Sequence, residues 1–204
     1  IAGNIGSGKT TLAGLLAKHY GWTPHYEDVD DNPYLNDFYE DMLRWSFNLQ
    51  IYFLNNRFRQ ILEFQESRKN IIQDRTVYED AQIFAPHLHA MGLLTKRDLS
   101  NYISLFELME RLVSPPDLLI YLRASVPTLQ ARINGRSRPY ERAIPDDYLA
   151  TLNRRYELWI DKWETSPVLT FDCDALDFVH NEQDRQYIAH RLREYLDWPQ
   201  TGPS

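Results

Sequence analysis

The sequence predicts an α/β fold, with a five-stranded parallel sheet covered by helices on both faces. Three observations carry this expectation. Short apolar runs alternate with longer stretches of helical periodicity along the 204 residues, the order that builds parallel strands joined by crossover helices. Residues 117–122 (DLLIYL) are almost continuously apolar and follow the breaker Pro115-Pro116, as suits a strand buried on both faces. A glycine-rich turn also separates an apparent strand end, Ile1-Ala2, from an amphipathic segment.

The elements follow in order. A helix is expected over 9–19 and a second strand over 23–27. A long helical region covers 33–68, where Leu43, Phe47, Ile51, Leu54, Phe58 and Leu62 recur every three or four positions. Residues 70–74 read as a short buried strand and 95–113 as a helix. After the strand at 117–122, residues 125–134 form a helix with Ser125 as N-cap and Pro127 in the first turn. A helix over 144–163, a strand over 168–171 and a helix over 182–196 complete the pattern. No repeat, low-complexity tract or linker divides the chain, so one domain over 1–204 is expected, with 198–204 a loose tail. Ligands of such sheets bind at the carboxyl ends of the strands.

Composition narrows the function. Asp plus Glu number 29 against 22 Lys plus Arg, for a net charge of −7. An acidic chain is poorly suited to nucleic acid polymers or an anionic membrane surface. No apolar run approaches the ~20 residues of a membrane helix, and no signal peptide is visible. The single cysteine, Cys173, rules out an internal disulfide and a cysteine zinc site; it reads as a buried residue at a strand end. A reducing, cytoplasmic setting is expected.

Gly3-Asn4-Ile5-Gly6-Ser7-Gly8-Lys9-Thr10 fits the pattern G-x-x-x-x-G-K-[ST] at every position. Glycines let the backbone approach an anion, successive N–H groups point inward, and the following helix adds its positive end. The motif predicts a P-loop for ATP, with Lys9 on the β- and γ-phosphates, Thr10 on Mg²⁺, and Thr11 continuing the first turn. Neither N-K-x-D nor L-S-G-G-Q occurs, which disfavours a GTPase and a transporter ATPase. Small-molecule and nucleotide kinases remain.

Further residues carry a resemblance. Glu27-Asp28-Val29 precedes Asn32-Pro33-Tyr34-Leu35; Tyr39-Glu40 precedes Arg44-Trp45-Ser46-Phe47; Gln50-Ile51-Tyr52 precedes Arg57. Asp74-Arg75-Thr76, Tyr78-Glu79-Asp80, Ile83-Phe84-Ala85 and Ile120-Tyr121-Leu122-Arg123 come next. Arg132, Arg136, Arg138, Glu141 and Ile144-Pro145 close the series. Over roughly residues 1–160 the chain resembles the deoxyribonucleoside kinase family. It is most similar to the bacterial deoxyadenosine/deoxyguanosine kinase branch, with R-W-S-F similar to deoxycytidine kinase.

The resemblance implies transfer of the ATP γ-phosphate to the 5′-hydroxyl of a deoxynucleoside, with Mg²⁺, in a homodimer formed through the long helices. By resemblance, Glu27 takes the hydroxyl proton. Asp74 holds Mg²⁺ and is the rival base, and Arg75 neutralises phosphate charge and steers Glu27. Gln50, with the pair Arg57 and Asp80, reads the base, which favours deoxyadenosine, deoxyguanosine or deoxycytidine over thymidine. Phe53 shapes the base pocket. Tyr39 and Glu141 hold the sugar 3′-hydroxyl, with Tyr34 a rival for part of this role. Arg132, Arg136 and Arg138 belong to a short arginine lid over about 134–143, where Pro139-Tyr140 departs from the polar residues usual in relatives.

Blander readings stand beside these. Glu27 is one acid among Asp28, Asp30 and Asp31, and Asp74-Arg75 or Arg57–Asp80 could be structural ion pairs. Tyr39 could be a core aromatic and the lid arginines a solvated turn. His87 and His89 stand two apart and do not share a helix face, so they make a poor metal pair. Phe47, Phe53 and Phe58 read as core and pocket wall. Two alternative functions remain: a nucleoside monophosphate kinase, which would need an additional basic residue near Tyr39 and Gln50, and a non-catalytic ATP-binding module, which leaves Glu27, Asp74 and Arg75 without purpose.

Overall fold

A computed structural model describes residues 1–26, 32–67, 69–135 and 144–196. Strand β1 (Ala2–Gly3) leads into α1 (Lys9–Tyr20), followed by β2 (Thr23–His25), α2 (Leu35–Glu40), α3 (Met42–Ser67) and β3 (Ile71–Gln73). Next come α4 (Val77–Glu79), a π-helical segment (Asp80–Phe84), α5 (Ala85–Ala90) and α6 (Lys96–Glu110). The chain ends with β4 (Leu119–Arg123), α7 (Val126–Asn134), α8 (Asp146–Ile160), β5 (Val168–Asp172) and α9 (Glu182–Leu196).

The α/β class and the parallel pairing are as expected. The single five-stranded sheet is not. Strands β1, β4 and β5 form one parallel sheet in the order β1-β4-β5, and β2 pairs with β3 in a second. The reason lies at Ile1. Its N donates to the Gln73 carbonyl at 2.6 Å, and Arg75 N donates to the Ile1 carbonyl at 2.9 Å. These two bonds make one rung beside β3, and the Gly3 N–H that would make the next donates instead to Glu79 Oε1 at 3.2 Å.

Alternate residues of β4 enter two cores, as side chains of a doubly covered strand must. Leu119 and Tyr121 join a cluster with α3, α6 and α8 through Leu54, Phe58, Phe106, Leu152 and Tyr156. Ile120 and Leu122 join the opposite cluster with α1, α7 and α9 through Leu12, Leu16, Leu129, Ile133 and Leu192. Helices therefore cover both faces.

Two helical expectations are corrected. The region 33–68 is two helices, broken at Asp41, whose backbone is extended (φ −143°, ψ 83°). Asp41 Oδ1 instead accepts from Arg44 N at 3.0 Å, so a capping bond starts α3 afresh. Residues 77–90, outside the elements read from the sequence, are helical throughout. Pro86 lies in this stretch and cannot continue an ordinary helix. The π turn just before it absorbs the mismatch: Ala85 N reaches back five residues to the Asp80 carbonyl. Among the described residues, no helix is long and apolar enough to cross a membrane. The lid residues 136–143 and the tail lie outside the described residues.

Candidate active site

The site gathers at the carboxyl ends of β1 and β3. After β1 the chain makes a tight loop that ends in α1, with Gly8 as N-cap in the left-handed region (φ 100°). A side chain there would collide with Phe178, since an added Cβ would lie 2.8 Å from its ring. Asn4 anchors the loop from below. Its Nδ2 donates to the Leu149 carbonyl (3.0 Å) and Asn153 Oδ1 (2.7 Å), while its Oδ1 accepts from Ile5 N (2.7 Å). Lys9 is buried, and its Nζ donates to the Gly3 and Asn4 carbonyls at 2.8 and 3.0 Å. The ammonium is thus held within the glycine-rich loop. Arg132 closes one side by donating to the Ser7 carbonyl (2.9 Å) and the Cys173 carbonyl (2.8 Å). Its guanidinium lies 5.9 Å from the Phe178 ring centre.

Asp74 stands opposite, just past β3, and its N–H donates to the His25 carbonyl at 2.8 Å. Asp74 Oδ2 accepts from Thr10 Oγ1 at 2.5 Å. The other carboxylate oxygen, Oδ1, is buried and has no hydrogen-bond partner among the described residues. An unmet anionic oxygen beside a hydroxyl is a hard-oxygen donor set that fits Mg²⁺. Arg75 follows with φ 71°, a left-handed conformation that costs a non-glycine residue about 1–2 kcal/mol. Three contacts hold it there: its N–H on Ile1, its carbonyl accepting from Arg57 at 3.4 Å, and its guanidinium 4.4 Å over Phe84.

A second group lies across that Arg57 bond. Arg57 on α3 and Asp80 in the π segment form a close ion pair, Nε to Oδ2, with both side chains 4 % exposed. Phe53 packs against the guanidinium at 5.6 Å. Gln50, two turns before Arg57 on α3, is 4 % exposed, and its Oε1 lacks a partner among the described residues. Tyr39 lies on α2 and is partly exposed, edge-on to Phe38. Tyr34 belongs to an aromatic group with Trp45 and Tyr52. Glu27, Arg136, Arg138 and Glu141 lie outside the described residues.

The protein has thus brought a glycine-rich loop, a lysine and an acid–arginine turn to one end of the strand layer, beside an amide and a buried ion pair. The model of the deoxynucleoside kinase family matches residues 1–197. The chain belongs to that family. A deoxyguanosine kinase of Lactobacillus johnsonii is 39 % identical over 94 % of this chain and 89 % of its own length. A deoxyadenosine/deoxycytidine kinase of Bacillus subtilis is also 39 % identical, over 96 % and 91 %. Among solved structures, the deoxyadenosine kinase of M. mycoides with bound dATP superposes with a TM-score of 0.81. It shares 31 % identity over 94 % of this chain and 96 % of that one.

Two residues of this deoxynucleoside kinase carry more of the site than sequence reasoning assigned to them. Phe178 is the wall against which Gly8 and Arg132 are set, and nothing local in the sequence marks it. Glu79 is fully buried and joins the loop to the acid–arginine turn. A legible signal existed for it: Thr76-x-x-Glu79 is a capping box, and both of its reciprocal bonds form. Other titratable groups nearby are inert by environment. Burial pushes the Cys173 thiol up to about 11 despite the Arg132 charge, so it stays protonated at neutral pH. Burial, and then the Glu79 charge, keeps the Tyr156 phenol protonated.

Proposed function

We propose that this kinase moves the γ-phosphate of ATP to the 5′-hydroxyl of deoxyadenosine, deoxyguanosine or deoxycytidine, in preference to thymidine, in nucleotide salvage. The carrying observation is the buried Arg57–Asp80 pair, with Gln50 two turns before Arg57 on α3 and its buried Oε1 unmet among the described residues. The Asp80 carboxylate of that pair suits a base edge with an exocyclic amino group, which thymine lacks, whereas Gln50 Oε1 can be met by any base that offers an N–H. A site built to bond such a group discriminates strongly against a base without it. The relatives named as deoxyguanosine, deoxyadenosine and deoxycytidine kinases point the same way.

Gly3, Asn4, Ile5, Gly6, Ser7, Gly8, Lys9, Thr10 and Thr11 cradle the triphosphate, and Arg132, Arg136 and Arg138 add positive charge from the lid side. Thr10 and Asp74 hold Mg²⁺, which when bound neutralises charge between the β- and γ-phosphates. Tyr39 and Glu141 fix the sugar, while Gln50, Phe53, Arg57 and Asp80 fix the base. Glu27 accepts the proton of the 5′-hydroxyl as its oxygen bonds to the γ-phosphorus. The bond from that phosphorus to the bridging oxygen breaks, and ADP leaves with the electron pair. Arg75, held rigid by its strained backbone, faces the charge on the transferring group. The enzyme acts as a cytoplasmic homodimer.

The test is Mg²⁺-dependent turnover of the four deoxynucleosides and their monophosphates with ATP, beside a Glu27→Gln variant. We expect turnover of at least one amino-bearing deoxynucleoside, weak turnover of thymidine, and a loss of 100-fold or more in kcat in the variant, within the usual range for general base removal. Turnover of monophosphates alone, or of thymidine above the others, would refute the reading.

A further inference from the structure

We infer that Glu79 is a positioning residue for phosphoryl transfer, setting the distance between the two loops that grip the triphosphate. Three donors converge on its carboxylate, which is 0 % exposed. Oε1 accepts from Gly3 N at 3.2 Å and from the Tyr156 hydroxyl at 2.7 Å. Oε2 accepts from Thr76 N at 2.7 Å. Gly3 opens the phosphate loop, and Thr76 ends the Asp74-Arg75-Thr76 turn. One carboxylate therefore bonds the backbone of both loops, 76 and 3 residues away in sequence.

No other described side chain bridges these two backbones in this way. Thr10 and Asp74 also meet across the gap, but the proposed function assigns both to Mg²⁺, so their mutual bond competes with the ligand. Glu79 is 0 % exposed, and its three bonds use none of the side chains assigned to the metal. Its own backbone is fixed as well, because Thr76 Oγ1 accepts from Glu79 N at 3.3 Å. Charge matters here as much as shape. A carboxylate offers acceptors on both oxygens, whereas an amide offers one acceptor and one donor group. Glu79→Gln therefore turns an NH₂ toward either the Gly3 or the Thr76 N–H, leaving one buried backbone donor unmet.

This inference rests on the proposed ATP site, and the experiment separates the two. Wild-type turnover with ATP tests the site itself, and the variants test Glu79. For Glu79→Gln we expect kcat/KM for ATP to fall ten-fold or more. The apparent Mg²⁺ requirement should rise, and the Kd of the deoxynucleoside alone, measured by calorimetry, should stay within two-fold. That split distinguishes positioning from a general loss of fold, which would lower both affinities together. Should Glu79→Gln fail to fold, Tyr156→Phe carries the test. It removes one donor from Oε1, leaves both loop bonds possible, and is expected to lower kcat/KM for ATP about three-fold with nucleoside binding unchanged. ATP parameters within error of wild type in the folded variant, or losses shared equally by ATP and nucleoside, would overturn the inference.

Discussion

Individual side chains in this kinase are used in sharply different electrostatic settings. Arg57 and Asp80 offset one another's charge in a buried pair; removing either partner alone from such a pair typically costs 3–5 kcal/mol. His87 is the opposite case. It is 4 % exposed, lies edge-on to Tyr148 with ring centres 4.6 Å apart, and neither ring nitrogen has a partner among the described residues. Burial, and then the nearby Arg155 charge, lower its pKa from 6.5 to about 4. The native protein therefore favours the neutral ring, and unfolding takes up a proton. The stabilisation is complete above pH 6.5 and fades as pH falls toward about 4, with about 2 kcal/mol lost by pH 5. Replacing His87 with Phe should flatten the fall of Tm between pH 7 and pH 5, and an unchanged pH profile would show the histidine is not responsible. At this scale the sequence was most informative where chemistry demands a residue type. Thr10 and Asp74 lie in hydrogen-bond contact, and Lys9 Nζ is held on the Gly3 and Asn4 carbonyls of the same loop. Phe178 was illegible because its role depends on a contact with Gly8 across 170 positions.

Secondary-structure elements show where local signals compete. Thr95 caps α6 by accepting from Asp98 N at 3.1 Å, and the helix expected over 95–113 forms as Lys96–Glu110. The break at Asp41 was not, because apolar spacing continues across it and only a short capping bond decides the outcome. The stretch from Val77 to Ala90 was obscured by Pro86, which signals a helix end unless the preceding turn widens. The start of α1 allows a direct test. Gly8 needs a left-handed backbone and has the Phe178 ring where a Cβ would stand. Gly8→Ala should cost about 2 kcal/mol of stability, from strain plus the displaced ring. Turnover with ATP should fall far more steeply, because the loop N–H groups proposed to face phosphate would lose their aim. Urea unfolding beside steady-state kinetics checks both effects.

At the scale of the whole molecule, the layered α/β class was legible because alternate β4 side chains feed two cores. The division of the strands was not, since strand count says nothing of how many rungs join them. The proposed homodimer also belongs to this scale. Leu108 (61 % exposed), Leu112 (71 %) and Leu158 (60 %) project from α6, the turn after it and α8. The two helices border a common cavity of about 350 Å³, between Phe106 and Glu110 on one side and Leu158 and Trp159 on the other. Exposed leucines on adjoining elements suit an interface between copies. Leu108→Glu should convert a dimer to a monomer in sedimentation velocity at micromolar concentration, with turnover per chain reduced less than ten-fold; a monomeric wild type would remove this role.

The bond between Thr10 and Asp74 has a mechanical meaning. Thr10 rides with the β1-β4-β5 sheet, and Asp74 rides with the β2-β3 pair. The backbone seam between them runs beneath the place where the triphosphate is proposed to sit. A ligand gripped from both banks would act as a rivet, adding to the Thr10–Asp74 bond, the Glu79 carboxylate and the apolar cluster that holds Ile72 with Ile1 and Leu12. The place proposed for the triphosphate is therefore one where side chains, rather than a continued strand ladder, already clasp the two strand groups together.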